Sequence, residues 1–142
     1  MGKFELWSGP SNVKSYPEES GQTYKAGDLV IFDGGTVKIA ADGTDVMGVA
    51  IDKASATADT ERKVHVITPE QIWSVESTGT PDATMIGDAY DVANFTAGLM
   101  VVNVASGGTD VVLWDLDPRD VPASGSRVLV KFVPGSCDMW GG

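Results

Sequence analysis

The second half of the chain repeats turn and strand residues of its first half. The run Gly43-Thr44-Asp45-Val46 returns as Gly108-Thr109-Asp110-Val111, and Gly27-Asp28 has a counterpart in Gly87-Asp88. Glycine and aspartate are turn formers, while valine and threonine favour strands. A repeat of such residues favours a structural scaffold over an enzyme. The alternative is chance matching in a chain that is rich in these four residue types.

The repeat is not uniform along the chain. The alternation of Val64 and Val66 fits that of Val128 and Val130, which is one residue off the register of the Gly-Thr-Asp-Val match. A strand accommodates one extra residue as a β-bulge. We therefore predict a one-residue bulge in this part of the repeat.

Composition limits the partners of the chain. Its 142 residues suit one domain, and a hydrophobic fraction of 42% is typical of a globular protein. Twenty acidic residues against ten basic ones give a formal net charge of −10. Such a surface repels phosphate backbones, so we expect no nucleic-acid partner. No apolar run in the sequence reaches the length of a membrane span, so we expect no membrane partner either.

The hydrophobic pattern from Gly27 onward is that of β-strands. Short apolar runs are separated by turn signals such as Asp33-Gly34-Gly35, which predicts a tight hairpin. Gly48, inside one run, predicts a bulge or a close approach of two backbones. The one helical signal is a single turn at residues 69–72. The predicted strands lie at residues 29–32, 36–40, 46–51, 64–67, 72–75, 89–92, 99–104, 111–114 and 128–133.

This pattern predicts an all-β fold, a small β-barrel or sandwich formed from two related halves with an extended N-terminal arm. The β domain is expected to span residues 25–142. Its two halves are expected to lie roughly at residues 25–76 and 85–134.

Residues 1–24 differ in composition from the rest of the chain. They carry two prolines and a polar turn, and their apolar surface is limited to the tip formed by Phe4, Leu6 and Trp7. We predict an extended arm that becomes ordered when it meets a partner. The alternative is that Phe4 and Leu6 begin an edge strand of the domain.

Residues suited to catalysis are sparse. The single histidine, His65, lies in an alternating strand with its side chain opposite those of Val64 and Val66. The single cysteine, Cys137, has no base near it in the sequence. Two such residues are too few for a structural zinc site. We therefore expect no enzyme activity and no cofactor.

Acidic residues cluster in the run Asp115-Leu116-Asp117-Pro118-Arg119-Asp120, and the matching region of the first half supplies Asp42, Asp45 and Asp52. Carboxylate oxygens are calcium ligands, but the spacing of a helix–loop–helix calcium motif is missing. Because aspartate caps turns with its own side chain, we interpret these residues as turn formers. Bound calcium is the alternative.

Three motifs follow the polar N-terminal segment in a fixed order. They are Tyr24-Lys25-Ala26-Gly27-Asp28-Leu29-Val30, Val46-Met47-Gly48-Val49-Ala50 and Val64-His65-Val66. In this order they resemble the capsid cement, or head decoration, proteins of tailed double-stranded DNA phages. The resemblance covers roughly residues 22–76, and the second half matches only through the internal repeat.

The resemblance implies a virion protein that is made in the host cytoplasm and binds the outer surface of the expanded capsid, commonly as a homotrimer. There it would clamp neighbouring subunits of the major capsid protein against the pressure of packaged DNA. On this interpretation Phe4, Leu6 and Trp7 contact the capsid. Met139 and Trp140 are then candidates for contacts between subunits of the trimer.

Two other functions stay open. In a carbohydrate-binding β module displayed on a phage or cell surface, Trp73 and Trp114 would stack on sugar rings, although their apolar strand contexts favour core packing. A small hydrolase would require the acidic clusters to converge in a pocket.

Overall fold

A computed structural model describes residues 3–41 and 48–133. These residues form eleven β-strands and one 3₁₀ turn, so the predicted all-β fold is confirmed. No helix in these ranges is long and apolar enough to cross a membrane. The strands are β1 (Glu5–Ser8), β2 (Val13–Pro17), β3 (Leu29–Asp33), β4 (Thr36–Ile39), β5 (Gly48–Ala50), β6 (Glu61–Val66), β7 (Ile72–Thr78), β8 (Ala89–Ala93), β9 (Val101–Gly107), β10 (Val111–Leu116) and β11 (Arg127–Phe132).

The strands form two sheets, and each sheet closes on itself. The larger sheet has the order β1-β7-β11-β10-β8-β9, and β9 also pairs in parallel with β7, which completes a ring of five strands. The smaller sheet has the order β2-β6-β5-β3-β4, and a parallel bridge between Glu18 and Val37 joins the end of β2 to β4. We call β2 to β6 the first ring and β7 to β11 the second ring; β1 pairs with residues 72–74 of β7, on the edge whose later residues pair with β9.

The two rings have the same strand order. In each ring the first strand along the chain pairs with the fifth, the fifth with the fourth, the fourth with the second and the second with the third. The Gly-Asp turn before the second strand of each ring is also bonded in the same way. The Gly27 N–H donates to the Ala50 carbonyl at 2.8 Å, and the Gly87 N–H donates to the Leu113 carbonyl at 2.8 Å.

The rings begin earlier in the chain than the expected halves. Strand β2 opens the first ring at Val13, inside the segment expected to be an arm. Strand β7 opens the second ring at Ile72, inside the expected first half. Each ring therefore takes its opening strand from the sequence that precedes the repeated motifs.

Each predicted strand has a counterpart in the structure, and several local predictions are confirmed. Strands β3 and β4 form the hairpin, with Gly34 at φ 59° and Gly35 at φ 89°, where residues other than glycine are strained. A Cβ on Gly48 would lie 2.3 Å from the His65 carbonyl oxygen, so the backbones do approach closely there. The helical signal at residues 69–72 corresponds to a single turn, in which the Gln71 N–H donates to the Thr68 carbonyl at 3.3 Å; the described 3₁₀ turn is Ala83–Met85.

The main core lies between and inside the rings. Leu29 and Val49 of the first ring share one buried cluster with Trp73, Val102 and Val130 of the second. A smaller cluster fills the first ring and consists of Tyr24, Val30, Val37, Ala50 and Val64. Because neighbouring residues of a strand point to opposite faces, β3 contributes Leu29 to the shared core and Val30 to the interior of its own ring.

The N-terminal segment is part of the domain rather than a detached arm. Phe4 is only 2% exposed and packs against Phe132, with ring centroids 5.7 Å apart. Its N–H donates to the Gly27 carbonyl at 2.9 Å. The structure therefore has the alternative arrangement, an edge strand, because burying Phe4 and Leu6 stabilises this segment on the domain.

Candidate binding surface

Trp7 is the extra residue of a β-bulge. Along the β1–β7 pair, Leu6 lies opposite Trp73 and Ser8 lies opposite Ile72, which leaves Trp7 without a partner position. A bulge re-aims the side chain of the extra residue. The indole of Trp7 is consequently 39% exposed, although the residue follows one that packs on the core.

Trp114 occupies a bulge of the same kind. Along the β10–β11 pair, Leu113 lies opposite Val130 and Asp115 lies opposite Leu129. The Trp114 side chain is 49% exposed. The one-residue bulge predicted at Val64 and Val66 is absent from β6, whose pairing with β5 is regular; the bulge on β10 lies in the other half and was not predicted.

The two tryptophans flank one row of residues in the larger sheet, on opposite sides of it. Leu6, Trp73, Val130 and Leu113 form a continuous row of paired residues across β1, β7, β11 and β10. Trp7 and Trp114 each follow an end residue of this row. With β7 and β11 between them, the two bulges are three strand spacings apart, about 14 Å along the sheet. We call this outer surface of β1, β7, β11 and β10 the two-tryptophan face.

A cation covers each indole. The guanidinium carbon of Arg119 lies 4.9 Å from the ring centroid of Trp7. The Nζ of Lys131 lies 4.0 Å from the ring centroid of Trp114. Cations at these distances are attracted to the ring face and restrict the motion of the indole.

Arg119 is itself fixed by a buried carboxylate. Its Nη2 donates to Asp117 at 2.7 Å and to the Ser74 hydroxyl at 3.0 Å, and that hydroxyl donates to Asp117 at 2.7 Å. The hydrogen bond from Arg119 holds the pKa of Asp117 well below its ordinary value; burial opposes this shift, and the Ser74 hydroxyl reinforces it. The cation over Trp7 is thus positioned by a charged, fully bonded network.

A second ion pair ties β1 to the same face. Arg127 Nη1 lies 3.1 Å from Glu5 Oε1. The Arg127 N–H also donates to the Asp120 carboxylate at 2.9 Å, which anchors the loop between β10 and β11. The strand that carries Trp7 is therefore held by side-chain contacts as well as by its pairing with β7.

An apolar groove runs beside Trp114. Its volume is about 310 Å³. The lining residues are Pro69, Val112, Trp114, Lys131, Phe132 and Val133. Apolar grooves with a single charged group at the margin suit a partner side chain that is mainly hydrophobic.

The residues proposed to contact a capsid separate into three environments. Phe4 is buried in the core, so its side chain does not reach the surface. Leu6 is partly buried against the same core. Trp7 is exposed and is the member of this group that lies on the surface. Met139 and Trp140, the candidates for contacts between subunits, lie outside the described residues.

The two tryptophans proposed to stack on sugars also separate. Trp73 is 1% exposed and belongs to the main core, as its apolar context indicated. Trp114 is instead half exposed, which its apolar sequence context did not indicate. The alternation along the strand could have indicated this exposure. Val111 and Leu113 point inward, so the next residue, Trp114, is expected to point outward.

Described acidic residues of the two clusters accept backbone N–H groups. Asp115 accepts the Leu116 N–H, and Asp52 accepts the Lys63 N–H. Within residues 3–41 and 48–133, no three His, Cys, Asp or Glu side chains are grouped to hold a metal ion. The acidic residues at positions 42 and 45 lie outside these ranges, as does the cysteine at position 137.

His65 lies in a cleft of about 220 Å³ that the N-terminal segment covers. Its ring meets that of Trp73 edge-on, with centroids 5.8 Å apart. Burial lowers the pKa of His65, so the imidazole is neutral at pH 7. The His65 Nδ1 and Trp73 Nε1 atoms are buried and have no hydrogen-bond partner among the described residues, a setting that suits bound water.

Comparison of the chain with protein-family models found no match, and comparison with curated proteins found none either.

Proposed function

We propose that this chain is a capsid decoration, or cement, protein that binds the outer surface of an expanded phage capsid and stabilises it against internal DNA pressure. The resemblance of the three β motifs to that family supports the proposal. The two-tryptophan face adds a physical argument, because it provides a surface that could bind the shell. In this proposal the partner is the major capsid protein, and the location is the outside of the virion.

The single observation that carries the proposal is the placement of Trp7 and Trp114 on one rigid face. Tryptophan is enriched among the residues that dominate the free energy of binding at protein interfaces. Each indole here is already oriented by a bulge and a cation, so little side-chain entropy is lost when a partner covers it. A pre-oriented face is suited to permanent attachment.

The rings suit a protein that must resist deformation. A sheet that closes on itself leaves few unpaired strand edges, and its strands cannot separate without breaking the ladder on both sides. Many copies on one shell would combine modest contacts into strong overall attachment. Self-association into a homotrimer on the capsid belongs to the same proposal.

Co-sedimentation with capsids of the source phage tests this function. We expect saturable binding of the wild-type protein to expanded shells and none to compact proheads. Trp7→Ala and Trp114→Ala should each weaken binding at least about tenfold, as expected for residues that dominate an interface. Phe32→Ala is the matched control, since Phe32 is an aromatic residue of the first ring with a similar exposure of 37%.

The outcomes separate the possibilities. If the wild-type protein fails to bind either form of the shell, the decoration proposal is rejected. If it binds and only Phe32→Ala weakens the interaction, the contact surface lies on the first ring. Point substitutions are preferable to removal of residues 1–12, because that deletion also removes β1 and takes Phe4 from the core.

A carbohydrate-binding module is the second candidate, and the exposed Trp114 beside an apolar groove favours it. An indole that is covered by Lys131 on one face can stack a sugar ring on its free side. Glycan-array binding that is lost in Trp114→Ala, with an unchanged melting temperature, would support this function. An array without any bound glycan would reject it.

A further inference from the structure

The groove beside Trp114 combines apolar walls with one positive charge. Val112, Trp114 and Val133 supply apolar surface, and the ammonium group of Lys131 lies at the margin, 4.0 Å from the indole centroid. The stem of a lysine packs along apolar surface while its charge stays in water. A ligand that matches both parts of the groove needs an apolar group and an anion close together.

The charge of Lys131 differs from the other cations of the two-tryptophan face. Arg119 is paired with Asp117 at 2.7 Å, and Arg127 is paired with Glu5 at 3.1 Å. In the described part of the chain, no carboxylate lies within 4.0 Å of the Lys131 ammonium group. In a chain with a formal net charge of −10, this cation offers a site for a negative group of another molecule.

We propose that this groove binds a segment of the capsid shell subunit in which a carboxylate side chain lies next to an apolar side chain. The carboxylate would pair with Lys131, and the apolar neighbour would cover Trp114 and Val112. This inference rests on the proposed decoration function and specifies the chemistry of the partner at one end of the face. The groove is too apolar for a partner segment that is polar throughout.

Two substitutions of one residue test the charge. Lys131→Glu reverses it, and Lys131→Met removes it while keeping the length of the side chain. Lys53→Glu is the control, because it makes the same change of net charge on an exposed loop of the first ring. Melting temperatures of the three variants should stay close to that of the wild type, since both lysines lie at the surface.

Binding to expanded shells is then measured at low and high salt. We expect Lys131→Glu to weaken binding at least about tenfold, because it removes the ion pair and places two like charges at the contact. Lys131→Met removes only the ion pair and should weaken binding by a smaller factor. Wild-type binding should weaken as salt is raised, and Lys131→Met should lose part of that dependence. Lys53→Glu should bind within about twofold of the wild type.

The results distinguish this inference from the function on which it rests. If the wild-type protein binds no shell, the decoration function fails and the partner chemistry fails with it. If it binds and Trp114→Ala weakens binding but Lys131→Glu does not, the acidic partner alone is rejected. If sedimentation shows wild-type oligomers that Lys131→Glu abolishes, the groove binds a second copy of the chain and its assignment to the shell is overturned.

Discussion

The Gly-Asp turns before the second strand of each ring have the same backbone hydrogen bonds but different environments. The Asp28 N–H donates to the Lys25 carbonyl at 3.1 Å, and the Asp88 N–H donates to the Met85 carbonyl at 3.0 Å. The Asp28 side chain is fully buried, whereas Asp88 is exposed. One local sequence thus forms one turn twice, and the packing of the rings decides which aspartate acquires a structural role.

The buried aspartate joins the two rings. Its carboxylate accepts the Lys25 N–H at 2.8 Å within the first ring, and the Gly98 N–H at 3.0 Å from the loop before β9 of the second. Burial raises the pKa of Asp28, while these two hydrogen bonds and the charge of Lys25 act in the opposite direction. Asp88, the exposed counterpart in the second ring, does not have this structural role.

The two aspartates should differ strongly in their contribution to stability. Asp28→Ala leaves the Lys25 and Gly98 N–H groups without an acceptor, and we expect it to lower the free energy of unfolding by about 2–4 kcal/mol. Asp88→Ala should change it by less than about 0.5 kcal/mol, as is usual at exposed sites. Urea denaturation of both variants measures the difference. Equal losses would show that the two aspartates contribute equally to the free energy of unfolding.

The glycines that precede these aspartates give a second, smaller contrast. Gly27 and Gly87 have φ of 92° and 95°, so alanine is strained at either position. A Cβ on Gly27 would also lie 2.3 Å from Lys3 Cγ, whereas nothing lies within 4 Å at Gly87. We expect losses of about 2–3 kcal/mol for Gly27→Ala and about 1 kcal/mol for Gly87→Ala. Thermal unfolding of the pair tests this, and a larger loss at Gly87 would contradict it.

The pH dependence of stability should separate Asp28 from Asp117, the buried carboxylate of the second ring. Asp117 has a lowered pKa, so its stabilisation is present above its ordinary value of 3.8 and is lost as the pH falls below it. Asp28 has a raised pKa, so its contribution is largest at low pH and declines as the pH rises above 3.8.

Denaturation of the wild type, Asp117→Asn and Asp28→Asn between pH 3 and pH 6 measures both effects, because asparagine does not titrate. The free energy of unfolding of the wild type minus that of Asp117→Asn should decrease as the pH falls. The same difference for Asp28→Asn should increase as the pH falls. If both differences changed in the same direction with pH, the opposite pKa shifts of Asp28 and Asp117 would be ruled out.

A small effect on stability is expected for Trp114, which belongs to the bulge of the second ring. Because its side chain is half exposed, Trp114→Ala should lower the free energy of unfolding by less than about 1 kcal/mol. Trp73→Ala, in the core, should cost about 3–5 kcal/mol. A calorimetric comparison tests the pair, and a large loss for Trp114→Ala would make it a structural residue rather than a binding residue.

Local features of the fold could be predicted from the sequence, because they depend on neighbouring residues. Alternation identified the strands, and Asp33-Gly34-Gly35 identified the hairpin. The closure of each ring could not be predicted, since it depends on pairs such as Ser77 with Val102 that are distant in the chain. The place of Phe4 was missed for the same reason: its partner Phe132 lies at the other end of the described chain.

The candidate site was predictable only in part. Trp7 was singled out as an apolar residue of the N-terminal tip, and it is exposed. The pairing of each tryptophan with a cation was not foreseeable, because Arg119 lies on the loop between β10 and β11 and Lys131 reaches Trp114 only through the pairing of these two strands. Bulges in particular depend on the register of two strands, which a single segment does not specify.

The position of β1 has a consequence for synthesis on the ribosome. Glu5 is translated before the first ring, yet its partner Ser74 follows only after the whole first ring has been translated. Strand β1 therefore has no pairing strand until β7 has been translated, and Phe4 lacks its contact with Phe132 until β11 follows. A chain that is interrupted between the rings would leave β1 and Phe4 without these partners, and we expect such fragments to aggregate or to be degraded.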